Sequence, residues 1–139
     1  AQFAEVNLFG PIGITDYFWE QSEDGLNFGA FSLFLKPRDL TRLGQLCLQE
    51  GKWDNQQIVS SEWLQQATSV HAGVRTPYGY YFWLYPDLNG YGMIGHGGQF
   101  VFICDEKDLV IACTASGYTN EILWGSSDKL IELIYRACD

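Results

Sequence analysis

The pentapeptide Gly95-His96-Gly97-Gly98-Gln99 places a titratable ring beside paired glycines, between an aromatic segment and two apolar ones. Paired glycines weaken strand pairing and leave no side chain to pack, so they indicate a bulge or a place where a ligand approaches the backbone. A histidine beside such an opening can move a proton near neutral pH. The alternative is a structural bulge in which His96 only forms a hydrogen bond across the sheet.

A group of aromatic residues precedes this pentapeptide. We predict that four of them line a cleft for a small apolar or peptide ligand: Tyr80, Tyr81, Trp83 and Tyr91. Aromatic walls are common in ligand-binding clefts, so this group gives a second functional hypothesis, a non-catalytic binding module.

Composition limits the classes of protein to which the chain can belong. Its 139 residues fit one domain over 1–139, and 47% hydrophobic with 16% aromatic content is far from that of disordered chains. No apolar run approaches the ~18 residues that span a bilayer, so no membrane partner is expected. With 17 acidic and 8 basic side chains the formal charge is −9, which repels nucleic acid.

The four cysteines are spaced neither as a zinc site nor as a disulfide framework, and we expect no metal or other cofactor. A hairpin with its loop at 105–108 would set Cys104 opposite Leu109 and Cys113 opposite Phe100. The two thiols would then be roughly 13 Å apart along the ladder. A disulfide needs Cα atoms within about 7 Å, so both should stay reduced.

Elements that position the pentapeptide follow from periodicity and from turn residues. The first half is predicted to contain a short helix over 3–8 ended by Gly10-Pro11, a packed connection over 14–27, a strand over 30–35 and a helix from Pro37 capped by Gly51. An extended piece at 58–59 and a helix over 62–67 capped by Ser60 or Ser61 follow, and then strands over 80–85, 91–94, 100–104 and 109–115. The last helix is capped by Ser126 or Ser127, and its inward-facing residues are Leu130, Ile131, Ile134 and Cys138. Layer rules then give an α+β fold, an antiparallel β-sheet with helices packed on its faces.

A series of short stretches, in order along the whole chain, resembles the C-terminal half of serine hydrolases of the β-lactamase and penicillin-binding-protein superfamily. The closest branch is the class C-like esterases and 6-aminohexanoate-dimer hydrolases. The stretches are Leu8-Phe9-Gly10-Pro11-Ile12-Gly13-Ile14, Asp39-Leu40 with Leu43-Gly44 and Leu46, Gly51-Lys52-Trp53, Ile58-Val59-Ser60 with Trp63, Tyr78-Gly79-Tyr80, and Gly95-His96-Gly97-Gly98.

The resemblance implies a β-lactamase/transpeptidase-like fold and an acyl-enzyme mechanism on an ester, amide or β-lactam substrate. It identifies His96-Gly97-Gly98 with the third family motif, Lys-Thr-Gly or His-x-Gly. In this interpretation His96 is catalytic, the backbone N–H of Gln99 belongs to the oxyanion hole, and Gly97, Gly98, Tyr80 and Tyr81 contact the substrate.

The chain also departs from the family pattern. No Ser-x-x-Lys or Tyr-x-Asn motif stands at a matching place. The string Ser126-Ser127-Asp128-Lys129 fits the Ser-x-x-Lys spacing, but it begins the C-terminal amphipathic helix. A capping serine and a solvated lysine explain its occurrence there. Tyr81 replaces the usual third glycine after Tyr78-Gly79-Tyr80, and its bulk could narrow the cleft.

Since the nucleophile is missing and Ala1 reads as mid-helix, we expect a C-terminal fragment without the helical domain, inactive on its own, whose partner is the remainder of the hydrolase chain. The resemblance favours a periplasmic or secreted protein, although this chain shows no signal-peptide pattern. An unpaired sheet edge and an apolar patch should also promote self-association.

Overall fold

The computed structural model describes residues 1–72, 76–116 and 124–138. Its helices are α1 (Gln2–Ala4), continued by a π-helical turn (Glu5–Phe9), α2 (Pro37–Leu48), α3 (Ser61–Ala67), a 3₁₀ turn (Pro86–Leu88) and α4 (Trp124–Ala137). Its strands are β1 (Phe18–Trp19), β2 (Leu33–Phe34), β3 (Lys52–Trp53), β4 (Gln56–Gln57), β5 (Trp83–Tyr85), β6 (Gly90–Ile94), β7 (Phe100–Cys104) and β8 (Leu109–Cys113). Helices and antiparallel sheets together confirm the predicted α+β class.

The main sheet is an antiparallel meander in the order β5-β6-β7-β8. Every residue of β7 is buried, as its unbroken apolar and β-branched sequence predicts. Phe100 pairs with Cys113 and Cys104 with Leu109, so the predicted hairpin register is confirmed. Because this register separates the two cysteines along the strands, it also explains why both thiols are free.

Helix α4 covers one face of the main sheet. Ile131 is fully buried among Phe100, Phe102 and Ile111, with Ile134 and Tyr135 packed beside it. Two predicted details are wrong: Leu130 is 39% exposed and Cys138 is also exposed. The buried stripe follows the helical spacing from Ser127 through Ile131 to Tyr135, which places Leu130 at its margin. Cys138 lies beyond the last helical residue, Ala137, so the helical spacing no longer sets its direction.

Helix α2 covers the opposite face, and Gly44 is its point of closest approach. A Cβ atom at Gly44 would lie 2.5 Å from Val110 Cγ1 and 2.9 Å from Val101 Cγ1. The space beside Gly44 is filled by these two valine side chains and not by another backbone. Both valines point to the α2 side of the sheet, so the missing side chain of Gly44 lets the helix settle onto them.

The N-terminal residues pack against the far side of α2. Phe9, Ile12 and Ile14 form a buried cluster with Leu46, and β1 pairs with β2 beside it through Phe18 and Phe34.

Several extended pieces were predicted over too many residues, and some short strands were not predicted. The predicted strands over 30–35 and 80–85 are observed only as the shorter β2 and β5. Residues 58–59 are not a strand, although β4 lies next to them, and the predicted connection over 14–27 contains β1.

Helix ends were predicted with mixed success. Ser60 caps α3 through its side-chain oxygen, which accepts a hydrogen bond from Trp63 N–H at 3.2 Å, as predicted. Neither Ser126 nor Ser127 caps α4, because that helix already begins at Trp124. At the end of α2, Glu50 N–H donates to Cys47 O and Gly51 N–H to Leu46 O, which is a Schellman ending.

Gly51 offers a test of this ending. It has φ +81°, and a Cβ there would lie 1.9 Å from the backbone oxygen of Val59. Gly51→Ala should therefore lower the free energy of unfolding by about 3 kcal/mol or more, because left-handed strain and a backbone clash act together. Urea denaturation of the protein measures this change.

Two other glycines serve as matched controls. Gly25 has φ +77° but open space around it, so Gly25→Ala should cost only about 1 kcal/mol. Gly29 has neither feature, and Gly29→Ala should stay within about 0.5 kcal/mol. Equal losses for Gly51→Ala and Gly25→Ala would mean that the contact with Val59 contributes nothing.

The described helices include none that is both long and apolar enough to traverse a bilayer. Several large apolar side chains are nevertheless exposed on the described surface: Phe3, Val6, Phe18, Leu26, Phe31, Phe34, Val70, Leu130 and Leu133. Strands β5 and β8 are the edges of the described main sheet. These surfaces are consistent with the expected contacts to further protein, which stay a prediction.

Candidate active site

The glycine-rich pentapeptide forms the turn between β6 and β7. Gly95 N–H donates to Gln99 O at 2.8 Å and Gly98 N–H to Gly95 O at 3.2 Å, so two backbone hydrogen bonds hold the loop at its base. Gly98 has φ +89°, which glycine adopts without strain. The chain can therefore reverse here over three residues while keeping the pairing of Ile94 with Phe100.

His96 lies at the tip of this turn with an exposed side chain, whereas Gly97 is buried. The ring is thus carried on backbone that the two flanking strands hold in place. This arrangement matches the prediction of a histidine beside a glycine opening, although its role as a catalytic residue stays a prediction.

Gln99 closes the turn and contributes two features. Its side chain lies across Gly95, where a Cβ would come within 2.4 Å of Gln99 Nε2, so a larger residue at 95 would displace the Gln99 side chain. Within the described residues, no backbone carbonyl accepts a hydrogen bond from Gln99 N–H. Gln99 Oε1 is also buried without a partner among those residues. Buried polar groups are rarely left unpaired, so Gln99 Oε1 is suited to a ligand or to additional protein.

Tyr80 and Tyr81 lie in the bend before β5. Because β5 begins where its partner β6 ends, this bend is at the same end of the sheet as the His96 turn. Tyr80 is 46% exposed and stacks on Trp63 and on His71, with ring centroids 5.7 and 4.0 Å apart respectively. The structure therefore brings the predicted substrate-contacting residues to one end of the sheet.

Tyr81 has an unusual backbone conformation. It is 65% exposed and has φ +64°, a left-handed value that costs a non-glycine residue about 1–2 kcal/mol. The family that this sequence resembles usually has glycine at this position, and the observed φ gives a physical reason for that preference. Non-glycine residues held in this region are concentrated at functional sites, which makes the bend notable.

The four aromatics predicted to form one cleft do not share a surface. Trp83 pairs with Gly92 and Leu84 with Tyr91, so Trp83 and Tyr91 point to opposite faces of the sheet. Tyr91 instead donates a hydrogen bond from its hydroxyl to Asp105 Oδ1 at 3.4 Å. The prediction of a single four-residue cleft is therefore wrong, because it ignored the alternation of side chains along a strand.

A residue that the sequence identified only as a candidate helix cap contacts the turn. Ser127, in the first turns of α4, is only 5% exposed and donates a hydrogen bond from Oγ to Gly98 O at 3.2 Å. Its neighbour Asp128 accepts a hydrogen bond from Tyr85 Oη at 2.9 Å. Burial, followed by the charge of Asp128, raises the pKa of Tyr85 well above its usual value, so this hydroxyl stays a donor.

Other reactive groups lie away from this turn. Burial, with the nearby charge of Asp105, raises the pKa of Cys47 to about 12, so this thiol is not a nucleophile at neutral pH. Among the described residues, no group of three or more His, Cys, Asp or Glu side chains could hold a metal ion. Ser126 and Lys129 of the Ser-x-x-Lys string are both exposed.

Comparison with known proteins defines the fold. No family model matches the sequence, and no curated protein matches it significantly. Solved structures do match, and they have the β-lactamase-like fold that the sequence pattern indicated.

One is a candidate 6-aminohexanoate-dimer hydrolase from Bacillus anthracis, with a TM-score of 0.81 and 20% identity over 97% of this chain. Another is a candidate β-lactamase from Bacteroides dorei DSM 17855, with a TM-score of 0.58 and 14% identity over 90% of this chain. The chain spans 37% of the first structure's length and 49% of the second's.

Proposed function

We propose that this chain is the C-terminal part of a serine hydrolase that cleaves a small ester, amide or β-lactam through an acyl-enzyme. The observation that carries the proposal is the β6–β7 turn on a β-lactamase-like scaffold. This turn presents an exposed His96 three residues before Gln99, whose N–H donates to no backbone carbonyl among the described residues. In this proposal the chain supplies one wall of the active site.

The proposed reaction follows from what the turn can offer. A serine hydroxyl outside the residues of this chain loses its proton to the lysine beside it and attacks the substrate carbonyl carbon, so that the carbonyl oxygen becomes negatively charged; the same proton later goes to the leaving group. Gln99 N–H then donates a hydrogen bond to this oxygen, and such donors count most when they are fixed in advance. His96 orients the carbonyl or passes a proton to the leaving group as the bond to it breaks. Water then releases the acid and restores the serine.

Substrate contact is assigned to the same end of the sheet. Gly97 and Gly98 have no side chains, and Gly98 is partly exposed, so a substrate can approach the main chain of the turn there within hydrogen-bond distance, with the buried Gly97 beneath it. Tyr80 and Tyr81 present exposed rings from the adjacent bend, which suits a small substrate with an apolar part. The alternative of a non-catalytic binding module loses the four-residue cleft on which it was based.

The chain alone should hydrolyse p-nitrophenyl acetate no faster than a denatured sample, because the nucleophile and its lysine lie elsewhere in the proposed enzyme. Spectrophotometric assay of the purified chain measures this. Turnover that disappears in Ser126→Ala would overturn both this prediction and the assignment of Ser126 to a structural role.

The positive test uses the longer protein. The coding sequence before Ala1 should contain Ser-x-x-Lys and Tyr-x-Asn, and the product should be labelled by a fluorophosphonate probe at that serine. Mass spectrometry of the labelled peptide identifies the residue. A longer protein with neither motif and no labelling would contradict the proposed function.

A further inference from the structure

Ser127 is placed to control the one peptide group that the proposed reaction uses. Its hydroxyl donates to Gly98 O at 3.2 Å, and this carbonyl belongs to the same peptide unit as the Gln99 N–H. No peptide bond of the described chain is cis, so the C=O and N–H of that unit point in opposite directions. Holding the carbonyl towards α4 therefore aims the N–H away from α4.

The local backbone needs such a restraint. Gly98 has φ +89° and, as glycine, can adopt many other conformations at little cost. The base of the turn is held by the bonds of Gly95 to Gln99 and of Gly98 to Gly95, but neither of these involves the Gly98 carbonyl or the Gln99 N–H. Ser127 supplies the missing contact, and because its side chain is only 5% exposed, water competes little for its hydroxyl.

We infer that Ser127 is a positioning residue for the oxyanion hole, an inference that rests on the proposed function. It acts in two ways through the Gly98–Gln99 peptide. It fixes the direction of the N–H, and it makes the N–H a stronger donor because hydrogen bonds in a chain polarise one another. Ser127 does not itself touch the substrate, since its hydroxyl is on the opposite side of the peptide.

The start of α4 is also anchored independently of this contact. Tyr85 on β5 donates to Asp128 at 2.9 Å, and Ile131 is buried against the same sheet face. Loss of the Ser127 hydroxyl therefore leaves the helix in place and frees only the turn. This separation makes the role of Ser127 measurable apart from general stability.

The test compares an ester with its thiono analogue in the longer protein, using p-nitrophenyl acetate and p-nitrophenyl thionoacetate. Sulfur accepts hydrogen bonds weakly, so the thiono substrate gains little from the oxyanion hole. Ser127→Ala should lower kcat and kcat/KM for the oxygen ester about tenfold, with KM unchanged. Its rate on the thiono ester should stay the same, so the oxygen-to-sulfur rate ratio falls.

Tyr85→Phe is the matched control, because it removes a hydrogen bond from the same helix start without touching Gly98. Its rate ratio should equal that of the wild type. Active-site titration with the fluorophosphonate normalises every rate to folded enzyme. Ser127→Cys keeps the side-chain shape with a weak donor and should give an intermediate ratio, which preserves the test if Ser127→Ala folds poorly.

The outcomes separate the two ideas. If the wild type turns over the ester but Ser127→Ala and Ser127→Cys leave the oxygen-to-sulfur rate ratio unchanged, the inference is overturned and the proposed function stands. An unchanged ratio in which both substrates slow equally would mean that Ser127 is only structural. A wild type that is neither labelled nor active removes the proposed function, and the inference with it.

Discussion

His96→Ala in the longer protein should lower kcat and kcat/KM by about 10²–10³-fold, the usual loss when an acid–base group or an oxyanion donor is removed. The two constants should fall together, because a group that acts mainly in the transition state contributes little to substrate binding. The melting temperature should change by about 2 °C or less, since the side chain is exposed at the tip of a turn. Steady-state kinetics and thermal unfolding of one variant measure both quantities.

The chain contains its own control, because His71 is its only other histidine. His71 stacks on Tyr80 at 4.0 Å, and its Nε2 lies 2.7 Å from Gln66 O, so it is held by structural contacts. His71→Ala should lower the free energy of unfolding by about 1 kcal/mol and leave kcat near the wild-type value. The reverse pattern, an active but destabilised His96→Ala, would remove His96 from the catalytic residues.

Local signals explain why parts of the fold could be predicted. Pro37 at the first helical position and Asp39 in the first turn mark the start of α2, which is observed at Pro37. The polar loop at 105–108 determined the β7–β8 register, because a short hairpin loop leaves little freedom in the pairing. Each of these features is encoded within a few neighbouring residues.

Other parts depend on contacts between distant residues. Strands β1 to β4 have two residues each, too few to show a period. The pairing of β1 with β2 joins residues that are distant along the chain, beside the cluster that packs on α2. The β3–β4 pair is instead a local hairpin, closed by Asp54 and Asn55 in the left-handed conformation. Tyr91 was assigned to a cleft with Trp83 because composition alone does not give the face of a strand. The resemblance to a known family added the fold and the meaning of the His96 turn, which the residues by themselves left open.

The same reason explains why Ser127 was missed. A serine near the start of an amphipathic helix predicts a cap, and that was the interpretation made from the sequence. Its actual partner, Gly98 O, is 29 residues away along the chain and on another element. Only the packing of α4 on the main sheet brings the two together, so no pattern within the helix could reveal the contact.

The oxyanion role belongs to the backbone of Gln99, and it can be tested by removing the N–H alone. Gln99→Pro deletes this donor, and the fold loses no backbone hydrogen bond by it, because no carbonyl among the described residues accepts from that N–H. The residue before the new proline is Gly98, which tolerates the steric restriction better than residues with a side chain. We expect kcat to fall by about 10²–10³-fold.

Gln99→Ala is the matched control, because it removes the same side chain and keeps the N–H. Its kcat should stay within about tenfold of the wild type, the scale of one lost neutral hydrogen bond. Circular dichroism and active-site titration show whether each variant is folded and how much of it is active. Equal losses of kcat in both variants would assign the effect to the Gln99 side chain, whose Oε1 is buried without a partner among the described residues. The oxyanion donor would then be a group other than the Gln99 N–H. A large loss in Gln99→Pro alone, with folding intact, places the developing negative charge beside the Gln99 N–H.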